Sequence, residues 1–263
     1  MRNILFLSLI FIFPLFTSGQ TSETIVSSRP GQACAPNVTG TGVFQVQSGF
    51  TIGGSETGTN DLINDNIFVH NTLLRFGLSE KFEVRASVTA QEVRTSGQTI
   101  NSTDVSGIND ISVGMRYVLL DGNSTAGKLS VQTDFGLPLR TGGYQANEDL
   151  SYQLLVIQTY PIFTENLSLN INLGIFSSGF SESPDGKYVI NLSHPIGTKT
   201  SVFIENYGFI TDGSLETLFD GGFAYLLNND LQLDFSAGYG RTTSDGVQTT
   251  QWFTDAGVSF RFN

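Results

Sequence analysis

The stretch Phe82-Glu83-Val84-Arg85-Ala86-Ser87-Val88-Thr89-Ala90 decides the fold. Phe82, Val84, Ala86, Val88 and Ala90 share one parity and Glu83, Arg85, Ser87 and Thr89 the other, and a period of two puts the sets on opposite faces of a β-strand. The same alternation recurs on either side. Ile111, Val113, Met115, Tyr117 and Leu119 oppose Asp110, Ser112 and Arg116; Leu129, Val131, Thr133, Phe135 and Leu137 oppose Ser130, Gln132 and Asp134. Leu167, Leu169, Ile171, Leu173 and Ile175 oppose Ser168, Asn170 and Asn172. Towards the C-terminus, Phe219, Phe223, Tyr225 and Leu227 oppose Asp220, and Leu231, Leu233, Phe235 and Tyr239 oppose Gln232 and Asp234. Trp252, Val258, Phe260 and Phe262 oppose Asp255, Ser259 and Arg261 in the last segment. Less regular strands are expected over 43–51, 67–78, 149–161, 188–194 and 200–210. In 149–161 two parities compete, Tyr152, Leu154 and Val156 against Leu155 and Ile157. The total is about twelve strands, with about ten or fourteen as neighbouring counts.

The connections separate the architectures open to such a chain. Short ones (Ser79 to Lys81, Asp121 to Ala126, Thr164 to Asn166, Pro195 to Lys199, Asn228 to Asp230) alternate with long polar ones. The long ones are Gly53 to Asn66, Glu92 to Ser106, Pro138 to Glu148, Ser178 to Lys187, Thr211 to Glu216 and Thr242 to Thr250. An antiparallel meander places the two kinds at opposite ends, as in a transmembrane barrel with tight periplasmic turns and longer extracellular loops. Only 14% of the 263 residues are charged, against about 25% in soluble domains. A soluble barrel would carry Lys and Glu on its water-facing parity, whereas here the polar parity is mostly Ser, Thr, Asn, Gln and Gly. Phe50, Phe82, Tyr117, Tyr239, Trp252 and Phe262 lie near strand ends on the apolar parity, where interfacial aromatic girdles form. The fold class is therefore all-β, a transmembrane up-and-down antiparallel β-barrel.

The remaining composition narrows the function. Met1-Arg2-Asn3, the apolar run Ile4 to Phe16 and Thr17-Ser18-Gly19 have the order of a secretory signal peptide. That run falls short of the roughly 20 residues a spanning helix needs. The expected domains are a signal peptide over 1–20, a periplasmic or lumen-plugging segment over 21–42 and the barrel over 43–263. Lys and Arg number 13 against 24 Asp and Glu, a net charge of −11, which excludes phosphate-neutralising nucleic-acid binding. Cys34 is the only cysteine, so no intramolecular disulfide forms.

The inward parity collects Arg75, Glu83, Arg85, Asp110, Arg116, Asp134, Glu205, Asp220, Asp234, Asp255 and Arg261. Such a set either biases which solute enters a water-filled lumen or braces a narrow barrel by pairing. If the lumen is open, the excess of acids predicts a modest cation preference. Arg29, before the first strand, is placed to meet lumen carboxylates if residues 21–41 tuck into the barrel; otherwise that segment is a periplasmic tail. No catalytic residue, metal site or cofactor is expected. His70 and His194 are the two histidines, and Ser193-His194, adjacent on a strand, face opposite ways. An acyl-transfer site therefore lacks its base.

Several stretches resemble one family. Arg29-Pro30 with Pro36 and Gly42-Val43-Phe44-Gln45-Val46-Gln47-Ser48-Gly49-Phe50 are followed by Gly107-Ile108-Asn109-Asp110-Ile111 and Gly114-Met115-Arg116-Tyr117. Further matches are Ile204-Glu205-Asn206-Tyr207, Asp220-Gly221-Gly222-Phe223-Ala224-Tyr225 and Asn228-Asn229-Asp230-Leu231-Gln232-Leu233-Asp234. Together they resemble the transporter-like outer-membrane β-barrel family named for a meta-pathway of phenol degradation, with Gln47 where a Glu is expected. The resemblance implies passage of small, hydrophobic or aromatic solutes through a porin-like or transporter-like barrel. The expected partners are outer-membrane lipid, the barrel-assembly machinery through the C-terminal strand, and a small-molecule solute. The competing expectation is a structural or adhesive barrel with a closed lumen and ligand-binding extracellular loops.

Overall fold

The structure, a computed structural model, describes residues 22–58, 63–97, 101–122, 127–144, 150–179, 183–211, 214–244 and 247–262. The leader expected over 1–20 lies outside them. Twelve strands follow in chain order: β1 (Phe44–Thr57), β2 (Ile63–Ser79), β3 (Phe82–Gly97), β4 (Thr103–Asp121), β5 (Lys128–Gly136), β6 (Ser151–Ile162), β7 (Thr164–Ser177), β8 (Asp185–Ile196), β9 (Thr200–Thr211), β10 (Ser214–Asn228), β11 (Leu231–Ser244) and β12 (Val247–Phe262). Each pairs antiparallel with its neighbour and β1 pairs with β12, so the barrel is closed. Closure leaves no open edge in hydrocarbon, which is why a chain with so long an apolar face can be membrane-borne.

The parity argument extends to every strand. Phe50, Ile52, Val84, Val113, Met115, Leu173, Ile204, Phe219, Tyr239 and Trp252 are exposed, while Gln45, Gln47, Arg75, Glu83, Arg116, Gln132 and Asn172 are buried. The barrel is thus apolar outside and largely polar inside, the inverse of a soluble protein. At the short-turn end the outer aromatics pair, Phe44 with Phe262 at 5.8 Å and Phe82 with Tyr117 at 6.5 Å between ring centroids.

Two sequence expectations change. The strands reach 19 residues in β4 and 17 in β2, well beyond the roughly 9–11 that cross hydrocarbon, so the wall continues past the membrane. The long connections expected over Thr211 to Glu216 and Thr242 to Thr250 are largely strand. β9 and β10 are separated only by Asp212-Gly213, and β11 and β12 only by Asp245-Gly246. Asp-Gly is the dipeptide two-residue hairpins favour, and the polar residues around it belong to the wall above the membrane. The second change is in β6, where Leu154 and Val156 face out while Leu155 and Ile157 are buried. Both competing parities are apolar because this strand meets hydrocarbon outside and an apolar patch inside.

Candidate functional site

Residues 22–43 run through the lumen at the short-turn end, and most of the inward charges are spent on holding them. Arg75 donates to the carbonyls of Val26 and Asn37, at 2.8 and 2.9 Å, and to Glu83 at 2.8 Å. Glu83, fully buried, also accepts the Thr39 N–H at 3.1 Å. Arg116 donates to the carbonyls of Ala35 and Asn37 and to Gln132. Glu205 accepts the N–H groups of Gln32 and Ala33, and Arg261 donates to the carbonyls of Ser22 and Glu23. Asn172 closes a two-way bridge with the backbone of Cys34, at 2.7 and 3.1 Å. A segment without regular structure needs such partners, because its buried backbone polar groups have no ladder to satisfy them.

Arg29 lies between β11 and β12, donating to Asp234 at 3.0 Å and to Asp255. Its slot comes from Gly49 on β1 and Gly257 on β12, which oppose each other across the seam. A Cβ at either position would lie within 2.3 Å of the guanidinium. Of the other inward charges, Arg85 pairs with Asp134 at 3.0 Å and Asp110 borders the open part of the lumen. Asp220 lies opposite Glu205 in the β9–β10 register. Neither of its carboxylate oxygens has a hydrogen-bond partner among the described residues. The charges read from parity thus converge on the lumen, but most of them grip the segment or one another, leaving few to face a passing ion.

Two cavities flank the segment. The larger, about 930 Å³, is floored by Ser28, Arg29, Gly31, Gln32 and Cys34 and reaches the long-connection end. The smaller, about 520 Å³, lies among Ser22, Glu23, residues 37–40 and the short turns. The larger is two-sided. Arg85, Asp110, Asp134 and Gln132 form a polar wall; Leu155, Phe176, Tyr207, Leu218 and Phe253 form an apolar one. Val189, Tyr207 and Leu218 make a buried cluster against which Ala33, Phe209 and Phe253 pack. The polar lumen expected from the sequence thus carries an apolar patch over β6–β10, where Leu155, Phe176, Val189, Tyr207 and Leu218 stand among inward polar residues such as Asn172 and Glu205. Lys187, also on that side of the cavity, escaped the sequence reading because it was assigned to the preceding connection. The alternation Lys187, Val189, Asn191 continues the inward parity of β8 and was the signal available.

His70 faces outward. Its ring stacks on Phe50 at 4.4 Å, and its Nε2 is 2.9 Å from the Ser48 hydroxyl. Among the described residues no carboxylate contacts the ring, so this serine-histidine contact lacks the orienting acid of a hydrolytic triad. Among the described residues no group of three His, Cys, Asp or Glu side chains is gathered to hold a metal ion.

Comparison with known proteins agrees with this architecture. The family model described as "Putative MetA-pathway of phenol degradation" matches residues 27–262. No curated protein matches the sequence. Among solved structures, an outer membrane channel from Pseudomonas putida F1 superposes with a TM-score of 0.68 at 12% identity, covering 90% of this chain and 100% of its own. The translocator domain of the autotransporter NalP from Neisseria meningitidis gives 0.57 at 14% identity, covering 85% of this chain and 89% of its own. The monoaromatic hydrocarbon channel CymD gives 0.51 at 12% identity, with the same coverages of 85% and 89%. At these identities the likeness is one of fold.

Proposed function

From the premise that the chain belongs to the phenol-degradation family whose model takes in residues 27–262, we propose that it is an outer-membrane channel for small solutes with an apolar or aromatic part. The observation that carries this reading is the two-sided cavity of about 930 Å³ inside a closed barrel with an apolar exterior. A polar wall keeps the lumen wet, and the apolar wall opposite gives a hydrophobic solute a surface to leave water for. The neighbours named as an outer membrane channel and a monoaromatic hydrocarbon channel support the reading by analogy of fold.

In this scheme residues 22–43 are a plug between the two cavities, and Arg29, Arg75, Glu83, Arg116, Glu205, Asp234, Asp255 and Arg261 are its holders. Arg85, Asp110 and Asp134 line the entry. Residues 1–20 act as the export signal, and the aromatic-rich end of β12 is the contact for barrel assembly. The chain performs passage rather than chemistry, with no cofactor.

Liposome flux with solutes of graded size tests the scheme. The intact mature chain passes small aromatic solutes and excludes disaccharides, and a variant lacking residues 22–40 passes both with higher single-channel conductance. No permeation by any solute in either protein overturns the channel and favours a closed barrel that binds through its loops. Unchanged conductance in the deletion variant overturns the plug.

A further inference from the structure

Lys187 is a cation on the edge of the larger cavity. Arg29, Arg75, Arg85, Arg116 and Arg261 are each held by carboxylate, amide or carbonyl oxygens. The Lys187 ammonium has no hydrogen-bond or ion-pair partner among the described residues. The carboxylates whose field reaches it are Glu205 and Asp134, and both are engaged. Glu205 accepts from the plug backbone and from Asn191 at 3.0 Å, and Asp134 accepts from Arg85 at 3.0 Å. Asp185, two residues back on the same face, also borders the cavity.

The surroundings of the ammonium are aromatic. Its Nζ is 5.7 Å from the centre of the Phe209 ring, and Phe176 meets that ring edge-on at 5.6 Å. Phe176, Tyr207 and Phe253 face the same cavity as Lys187. An ammonium with no direct partner beside an apolar wall is costly, and an anion with an apolar body lowers that cost. A bare anion gains the charge contact alone, and a neutral ring gains the wall alone. Only a molecule carrying both uses both.

We infer that this side of the cavity is a binding site for a small aromatic monocarboxylate, with the carboxylate on Lys187 Nζ and the ring against Phe176, Tyr207 and Phe253. The inference builds on the channel reading in taking the occupant to be the transported solute, but the binding is separable from passage.

Calorimetry on the refolded mature chain in detergent, with benzoate, benzyl alcohol, acetate and benzylammonium as probes, tests it. Benzoate binds about tenfold or more tightly than benzyl alcohol or acetate, the ratio expected for one charge-assisted hydrogen bond, and benzylammonium binds weakest. Lys187→Met removes the advantage of benzoate and leaves benzyl alcohol unchanged; Lys187→Arg keeps it. Equal binding of benzoate and benzyl alcohol by the wild-type chain overturns the site, a result that needs no variant to fold. Retention of the benzoate advantage in Lys187→Met overturns it as well. The liposome assay separates this from the parent reading. Benzoate binding without passage of any solute supports the site and overturns the channel, whereas passage of neutral aromatics without a benzoate advantage in calorimetry overturns the site alone.

Discussion

Gly49 and Gly257 do their work by absence. Each leaves the space that the Arg29 guanidinium fills, so Gly257→Ala expels Arg29 and leaves Asp234 and Asp255 without their cation. We expect that variant and Arg29→Ala to lose a similar amount of stability, about 1–3 kcal/mol for polar groups left unsatisfied in a lumen that water reaches. Urea unfolding from liposomes measures it, and a loss in Arg29→Ala without one in Gly257→Ala contradicts the slot. Asp220 is the opposite case, a buried carboxylate whose oxygens lack partners and which lies opposite Glu205. Asp220→Asn removes one of two like charges and supplies an amide donor, and we expect a gain of about 1 kcal/mol in the same assay. Parity placed Asp220, Asp234 and Asp255 on the inner face, and the position of Arg29 before β1 put it in reach of lumen carboxylates. What parity cannot contain is their pairing, because Arg29 meets Asp234 and Asp255 across more than 200 positions of sequence. Lys187 was missed for a local reason: Gly186 and Asp185 before it look like connection, while the strand begins at Asp185.

Among the elements, strands were legible and the segment over 22–43 was only half so. A strand announces itself by its period, and the expected cores of all twelve fall within the observed ones but for a residue or two at the edges. The N-terminal segment has no period. Its placement comes from backbone hydrogen bonds to side chains on β2, β3, β4, β7, β9 and β12, which leave no trace in its own composition. β6 was ambiguous for a physical reason, since a strand with apolar residues on both faces satisfies either parity. The segment also carries a probe. Cys34 borders the larger cavity, which opens towards the long connections, so a small charged thiol reagent added on that side of a bilayer modifies it and a polymer-linked maleimide does not. Mass spectrometry after labelling reads this out, and modification by both reagents alike contradicts a segment held inside the barrel.

For the whole molecule, the low charge content is a statement about solvent: the outward parity must dissolve in hydrocarbon. Ile171, on the outward parity near the middle of β7, tests that statement. Ile171→Lys should cost about 2–4 kcal/mol if the position lies at mid-bilayer depth, read as a drop in the urea midpoint in liposomes. An unchanged midpoint contradicts a lipid-facing wall. The architecture was legible from the alternation of turns and parities, but the apolar patch inside was not, because residues such as Val189 and Leu218 look the same in sequence whether they meet lipid or a solute. The seam between β1 and β12 has one further bearing. The segment before β1 bonds to Gln45 and Gln47 on β1 and to Asp255, Ser259 and Arg261 on β12. Two of those five partners lie on β1 and three on β12, and both sets face the same space only after the ends of the sheet have met. The segment over 22–43 is therefore the last to find its place, and its docking reports that the cylinder has shut.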